Sequence, residues 1–177
     1  KSKKVLVTGG AGFIGSHVVD ALVKRRIKVY VVDDLSGGRR KNLNPNAVFF
    51  RMSVNSPKFV PLVKKMKPDI IIHTAAQQDV RASVNDPQFD AKINILGTLN
   101  VIKAGAEAKV KKFIFTSTGG AMYPIGGRPP FSEKIQPGPV SPYAIAKRAA
   151  ELYFNFAYEA YGIPYTILRF ANVYGPR

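Results

Sequence analysis

The sequence contains no cysteine, only two histidines and no long apolar run. The absence of cysteine excludes disulfide bonds, thiolate metal ligands and a cysteine nucleophile, and it favours a reducing compartment. His17 and His73 are too few for a histidine-based metal site. No segment approaches the roughly 18 consecutive apolar residues of a membrane span, and the apolar run after the N-terminal lysines is too short for a secretory signal. We therefore expect a cytoplasmic protein without a bound metal.

Acidic residues are also scarce, with 11 Asp and Glu against 27 Lys and Arg and a net charge of +16. Such an excess makes nucleic acid a partner to consider. The basic residues, however, occur in small groups along the chain, mostly where helices are expected to end or loops to begin. They form no stripe interleaved with aromatic side chains. We favour attraction of anionic substrates over nucleic-acid binding.

Short apolar segments rich in β-branched residues predict six buried strands, at 5–7, 29–32, 48–50, 70–72, 113–115 and 165–168. Helical patterns alternate with them, at about 12–25, 57–66, 87–108 and 142–161. This alternation predicts right-handed βαβ crossovers and a doubly wound parallel sheet in the order 3-2-1-4-5-6. With helices on both faces, we expect one three-layer α/β/α domain over residues 1–177.

A glycine-rich turn follows the first predicted strand, with glycines at positions 9, 12 and 15. Glycine at these positions permits a tight turn, lets backbone approach a pyrophosphate, and lets the next helix pack closely on its strand. Asp33 ends the second predicted strand, about 18 residues later, which is the context of a dinucleotide fingerprint. An acidic group there accepts the ribose hydroxyls of NAD and repels the 2′-phosphate of NADP. A plain glycine turn with a solvated aspartate is one alternative. NADP is another, through Arg39 and Arg40, although they lie beyond the strand end and Asp33 occupies the deciding position.

Tyr143 and Lys147 lie four residues apart and therefore on one face of a predicted helix. An unperturbed tyrosine, with a pKa of about 10, is a poor base at neutral pH. A neighbouring ammonium favours the phenolate, so we expect the Tyr143 pKa to be lowered. A solvated helix pair is the alternative, and the fingerprint upstream argues against it.

Seven segments in order resemble the extended short-chain dehydrogenase/reductases, and among them the NAD-dependent nucleotide-sugar epimerases, most closely the UDP-glucose 4-epimerases. They are the turn at 8–15, the strand end at 31–36, His73 to Gln77, Asn94 to Thr98, Ser117 to Ala121, the Tyr143/Lys147 pair, and 168–177. The resemblance covers essentially the whole chain. It implies the Rossmann fold that the strand pattern also predicts.

The resemblance implies roles for individual residues. It makes Thr118, Tyr143 and Lys147 catalytic, and it places Thr118, Tyr143 and Asn172 against the substrate, Asn172 at its diphosphate. It also implies a set of residues around NAD: Gly9, Gly12, Phe13, Ile14, Gly15, Asp33, Asp34, Ser36, Ser53, Val54, Ala75, Ala76, Gln77, Asn94, Tyr143 and Lys147.

The implied reaction begins with oxidation of a UDP-sugar at C4 by NAD. The 4-keto sugar then rotates within the site and is reduced on its opposite face, and Tyr143 transfers the proton. Related dehydratases carry an Asp-Glu pair after the catalytic threonine, whereas Gly119 and Gly120 follow here. The resemblance also implies a homodimer, because relatives pair through helices that match 87–108 and 142–161.

Three positions depart from the family pattern: Ser53 replaces an aspartate that contacts adenine, Gln78 replaces a lysine, and Pro124 replaces a glycine. Family members also continue beyond the equivalent of Arg177 into a substrate subdomain. We therefore expect that subdomain to be missing and turnover to be low. A non-catalytic NAD-binding domain, truncated or engineered, is the alternative.

Overall fold

A computed structural model describes residues 3–123, 126 and 130–177, so Pro124 lies outside the described residues. Six strands form one sheet: β1 (Lys4–Thr8), β2 (Lys28–Asp33), β3 (Val48–Arg51), β4 (Ile70–His73), β5 (Lys112–Thr118) and β6 (Tyr165–Phe170). Their order is β3-β2-β1-β4-β5-β6, and every neighbouring pair is parallel. The predicted fold and strand order are confirmed.

Six helices connect the strands: α1 (Phe13–Lys24), α2 (Phe59–Met66), α3 (Val80–Asn85), α4 (Pro87–Ala91), α5 (Gly97–Ala108) and α6 (Pro142–Tyr161). The single helix predicted over 87–108 is divided, because a π-helical turn (Lys92–Leu96) joins α4 to α5. The short α3 was not predicted, since its six residues carry no apolar repeat. Its first turn is held by Asp79, whose carboxylate accepts hydrogen bonds from the Arg81 and Ala82 N–H groups.

The core is divided between the two faces of the sheet, because successive side chains of a strand point to opposite faces. Leu6 belongs to the cluster formed with α2, α5 and α6. Its neighbours Val5 and Val7 belong to the cluster on the α1 face. The strands read as nearly continuous apolar runs because both faces are covered.

The ends of α6 follow from local sequence. The hydroxyl of Ser141 accepts a hydrogen bond from the Ala144 N–H, Pro142 occupies the first turn, and Gly162 ends the helix with φ +65°. This start places Tyr143 and Lys147 in the first two turns. No helix in the described part of the chain is both long and apolar enough to cross a membrane.

Candidate active site

The turn after β1 is packed too tightly for side chains. Gly9 has φ +72°, and its N–H donates to the Val32 carbonyl oxygen at 2.8 Å. A Cβ on Gly9 would lie 2.6 Å from the Ala75 backbone nitrogen, and one on Gly15 would overlap the Gly9 carbonyl oxygen. The two glycines therefore let α1 and the segment after β4 approach this turn closely.

The start of α1 offers a place for an anion. Gly12 precedes the helix in an extended conformation, no side chain caps it, and the first turn holds no acidic residue. A Cβ on Gly12 would meet only the Gly9 carbonyl oxygen, at 3.3 Å. The first N–H groups of the helix, from Phe13 and Ile14 onward, have no intrahelical partner. Together with the helix dipole they fit a pyrophosphate.

Asp33 ends β2 as a buried carboxylate. Its Oδ2 accepts a hydrogen bond from the Ala11 N–H at 2.9 Å, and its Oδ1 accepts one from the Leu35 N–H at 2.8 Å. The Ala11 carbonyl oxygen in turn accepts from the Arg39 N–H and from Asn42 Nδ2. Each carboxylate oxygen keeps further acceptor capacity for a ribose hydroxyl. Asn42 was not predicted, because nothing distinguishes it in a polar loop.

The other residues predicted near the adenosine of NAD form hydrogen bonds that stabilise the loops in which they lie. Asp34 Oδ1 accepts from the N–H and the hydroxyl of Ser36. Ser53 Oγ accepts from the Asn55 N–H, and the Val54 carbonyl oxygen accepts from Asn100 Nδ2.

Asn94 fixes the segment after β4. Its Oδ1 accepts from the Gln77 N–H at 3.0 Å, and its Nδ2 donates to the Gln77 carbonyl oxygen at 2.9 Å. Ala75 and Ala76 lie on the same half-buried segment, where the Ala75 N–H donates to Thr8 Oγ1 at 3.4 Å. The structure thus joins Asn94 to Gln77, as a supporting role requires.

His73 is buried within this framework. Its Nδ1 lies 2.7 Å from Thr8 Oγ1, and its Nε2 lies 3.2 Å from Thr98 Oγ1. Burial, with a smaller effect of the Lys147 charge, lowers the His73 pKa to about 3. The ring is therefore neutral at physiological pH and acts as a structural bridge.

Lys147 is 4% exposed. Its Nζ donates to the Thr116 carbonyl oxygen at 3.0 Å and lies over the rings of Phe115, at 4.8 Å, and Tyr143, at 5.9 Å. Burial lowers the Lys147 pKa to about 8, against the opposing effect of Asp90 and Glu151. An ammonium has three N–H donors, so two remain for a ligand.

The Tyr143 pKa differs from the expectation. Burial of the ring raises it above the ordinary value, and the negative charge of Asp90 raises it further. The predicted lowering is therefore wrong for this arrangement. Lys147 Nζ donates to a backbone oxygen rather than to the phenol, so its charge does not outweigh desolvation.

Thr118 ends β5, where its Oγ1 accepts from the Ala121 N–H at 3.2 Å. Asn172 lies beside the following loop, because a Cβ on Gly120 would be 3.6 Å from Asn172 Oδ1. Among the hydrogen bonds of the described residues, none links Thr118 directly to Tyr143.

Glu151 forms a buried network that sequence reasoning missed. It is 2% exposed and accepts hydrogen bonds from Ser117 Oγ, Arg169 Nε and Nη2, and Arg148 Nη1, at 2.7–2.9 Å. The network lines a cleft of about 1100 Å³ between α6 and β6, which Asn172 also lines. The sequence does show a glutamate one turn after Lys147. Its partner Arg169 lies 18 residues further along the chain, so the spacing does not predict the pair.

Comparisons with known proteins agree with this geometry. A putative UDP-glucose 4-epimerase of Methanocaldococcus jannaschii is 40% identical over 98% of this chain and 57% of its own length. Crystal structures of UDP-glucose 4-epimerases from Thermotoga maritima with UDP-glucose and from Thermus thermophilus with NAD both superpose with a TM-score of 0.93. They are 47% and 43% identical, each over 98% of this chain and 57% of the other.

The chain thus spans a little over half the length of the relatives it matches. A sequence profile of the NAD dependent epimerase/dehydratase family matches residues 5–177. On this match and these identities, the chain belongs to the NAD-dependent epimerase/dehydratase family of extended short-chain dehydrogenase/reductases.

Proposed function

We propose that this chain carries the NAD site and the proton-transferring side chains of a UDP-glucose 4-epimerase, with residues 1–177 as its NAD-binding domain. The observation that carries the proposal is the common position of two groups at the carboxyl ends of the strands. The uncapped start of α1 follows β1 and Asp33 ends β2, while Lys147, in the first two turns of α6 with Tyr143, donates to Thr116 near the end of β5. Ligands of open parallel sheets bind at this edge.

In this proposal the pyrophosphate of NAD lies against the N–H groups at the start of α1, and Asp33 accepts the adenosine ribose hydroxyls. Asp34, Ser36, Ser53 and Val54 surround the adenosine. Ala75, Ala76 and Gln77 border the middle of the cofactor, with Asn94 holding that segment. Lys147 donates its two remaining N–H groups to the nicotinamide ribose.

When bound, NAD supplies the acceptor for a hydride from C4 of the sugar and returns it to the other face. The phenolate of Tyr143 takes the proton of the C4 hydroxyl through its Oη and later gives it back. Thr118 Oγ1 hydrogen-bonds the same hydroxyl. Lys147 is mostly protonated at pH 7, since its pKa of about 8 lies above that pH. We propose that its charge lowers the cost of forming the phenolate, against the burial that raises the Tyr143 pKa.

Epimerisation is favoured over dehydration within the family. Elimination needs its own acid and base beside the sugar, and the relevant positions hold Gly119 and Gly120, which offer neither. Asn172, beside Gly120 and at the cleft between α6 and β6, is proposed to contact the diphosphate of the UDP-sugar.

The proposal includes a homodimer formed through the helices at 87–108 and 142–161. α6 places Ala150, Phe154 and Ala157 in the core but exposes other apolar or aromatic side chains, among them Ile145, Leu152, Tyr153 and Phe156. A cytoplasmic location and a role in galactose metabolism stay predictions of the same proposal.

NAD titration of the 177-residue chain tests the cofactor site. We expect Asp33→Ala to weaken NAD binding at least tenfold, because a hydrogen bond to a charged group contributes about 1.5–3 kcal/mol. The matched control is Asp69→Ala. Asp69 also accepts a hydrogen bond from a backbone N–H, that of Lys4, but it lies at the amino ends of the strands, away from the proposed site. Equal or tighter binding of NADP would reverse the cofactor assignment.

An epimerase assay on UDP-galactose tests the reaction. Any measurable turnover should fall by orders of magnitude in Tyr143→Phe, because the general base is lost, while NAD affinity changes little. Turnover that survives this substitution would refute the role of Tyr143.

A further inference from the structure

Asp90, on α4, is a buried carboxylate that the proposed reaction does not use. It is 1% exposed. Its Oδ1 accepts hydrogen bonds from Gln77 Nε2 and Asn94 Nδ2, both at 2.9 Å. Its Oδ2 is buried and has no hydrogen-bond partner within residues 3–123, 126 and 130–177. Buried charged oxygens are normally paired, so this half-satisfied carboxylate calls for a physical explanation.

The satisfied oxygen anchors the segment after β4. Gln77 Nε2 bridges Asp90 to the Asp79 carbonyl oxygen, and Gln77 Oε1 accepts from the Asp79 N–H. Asn94 links Asp90 to the backbone of Gln77. One carboxylate oxygen thus fixes two side chains that border the proposed cofactor site.

Asp90 lies on α4, which together with the π-helical turn packs against α6, the helix that carries Tyr143 and Lys147. Burial raises the Tyr143 pKa, and Asp90 raises it further. Burial lowers the Lys147 pKa, and Asp90 opposes that lowering. Both effects act across a buried contact, where charges are poorly screened.

The other carboxylates near this contact are compensated, and the cations Arg81 and Lys92 are exposed to solvent. Glu151 on α6 forms ion pairs with Arg148 and Arg169. The carboxylates of Asp79 and Asp86 accept backbone N–H groups at the starts of α3 and α4, and His73 is neutral. Within the described ranges, Asp90 forms no ion pair with a lysine or arginine.

We propose that Asp90 is a positioning residue that holds the segment after β4 through Gln77 and Asn94, and that its buried, unpaired oxygen acts on the Tyr143/Lys147 pair across the contact between α4 and α6. This inference deepens the proposed function and rests on it for the role of that pair. The charge on Asp90 favours the protonated form of Lys147, as does Glu151, and it adds to the effect of burial in making the phenolate of Tyr143 harder to form.

Asp90→Asn is the informative substitution, because the amide keeps an oxygen that accepts from Gln77 and Asn94 while it removes the charge. Tyr143 is titrated in the free chain by phenolate absorbance, taken as the difference between a protein and the same protein with Tyr143→Phe. We expect the Tyr143 midpoint to move to lower pH in Asp90→Asn. The matched control is Asp86→Asn, which removes a charge four residues away at an exposed helix cap and should leave the midpoint unchanged.

An unchanged midpoint in folded Asp90→Asn would overturn the inference, since a purely structural role alters stability and not the titration. If Asp90→Asn does not fold, carboxyl carbon NMR of Asp90 replaces it. Burial raises the Asp90 pKa above its ordinary value, and the hydrogen bonds from Gln77 and Asn94 and the charge of Lys147 oppose that rise. Lys147→Met should therefore raise the Asp90 pKa further, and an unmoved Asp90 pKa would be the contrary result. Both titrations are done without NAD, so failure of NAD binding would refute the proposed function without deciding this inference.

Discussion

At the scale of single residues, the glycines near the start of α1 are required for different reasons. Gly9 adopts a positive φ, whereas Gly15 lies in α1 and is glycine because of what it touches. A Cβ at position 15 would overlap the Gly9 carbonyl oxygen and lie 2.8 Å from Thr74 Oγ1. The two nearest atoms, the carbonyl oxygen and carbon of Gly9, belong to the backbone and cannot rotate away as a side chain can. The close approach of α1 to β1 therefore depends on Gly15.

Gly15→Ala should lower the free energy of unfolding by about 1–3 kcal/mol, in the range of overpacked cores, and weaken NAD binding. Urea denaturation and NAD titration measure the two effects. Gly37→Ala is the matched control, because no atom beyond the glycine and its two chain neighbours lies within 4 Å of the added Cβ. We expect that control to change stability by less than about 0.5 kcal/mol. Equal effects of the two substitutions would contradict the packing argument.

At the scale of elements, Glu151 ties α6 to β5 and β6. It accepts from Ser117 on β5 and Arg169 on β6, and those two residues are neighbours in the sheet register. Arg169 Nη1 also reaches the Tyr123 hydroxyl, at 3.4 Å, in the loop after β5. The helix that carries Tyr143 and Lys147 is therefore fixed to the strand that ends at Thr118.

Glu151→Gln should destabilise the chain by about 3 kcal/mol at pH 7, because it leaves the partly buried guanidinium groups of Arg169 and Arg148 without their counterion. Burial alone would raise the Glu151 pKa, but hydrogen bonds from Arg169, Ser117 and Arg148 hold it below the ordinary value of 4.5. A depressed pKa means that the stabilisation is complete above pH 4.5 and is lost as the pH falls through the native pKa. The stability difference between native and substituted chains should therefore shrink below about pH 4.5 in chemical denaturation.

The control for this prediction is Glu107→Gln, which removes a surface ion pair with Lys64. Exposed pairs contribute little, so its effect should stay below about 1 kcal/mol at any pH. A pH-independent difference for Glu151→Gln would show that the carboxylate charge is not responsible.

At the scale of the whole molecule, a net charge of +16 opposes self-association, whereas the apolar face of α6 favours it. Leu152 is 55% exposed and Phe156 is 49% exposed. Repulsion between two such chains is long-ranged and weakens as salt shortens the screening length. Hydrophobic contact does not depend on charge in this way, so salt should strengthen the proposed dimer.

Sedimentation at rising salt concentration should show a growing dimer fraction for the native chain. Leu152→Glu and Phe156→Glu should abolish the dimer, because each would bury an unpaired charge in the contact. Val140→Glu is the control, since Val140 is an exposed apolar residue outside α6. A native chain that stays monomeric at high concentration and high salt would refute the dimer.

The sequence by itself determined the fold, because its signals are local. The alternation of apolar strands with helical patterns predicts the sheet, the glycine spacing predicts the turn after β1, and Ser141, Pro142 and Gly162 mark the ends of α6. The positions of Asp33, Tyr143 and Lys147 at one edge of the sheet follow from that fold. Each of these features depends on residues close together in the chain and needs no knowledge of distant contacts.

Only the tertiary structure decided the electrostatics of the site. The Tyr143 pKa is raised, against the prediction, because burial and the charge of Asp90 on another helix outweigh the ammonium four residues away. The pairing of Glu151 with Arg169, and the π-helical turn that carries Asn94 to Gln77, also join segments distant in sequence. Desolvation and charge interactions depend on what surrounds a group in space, which the local pattern of residues does not specify.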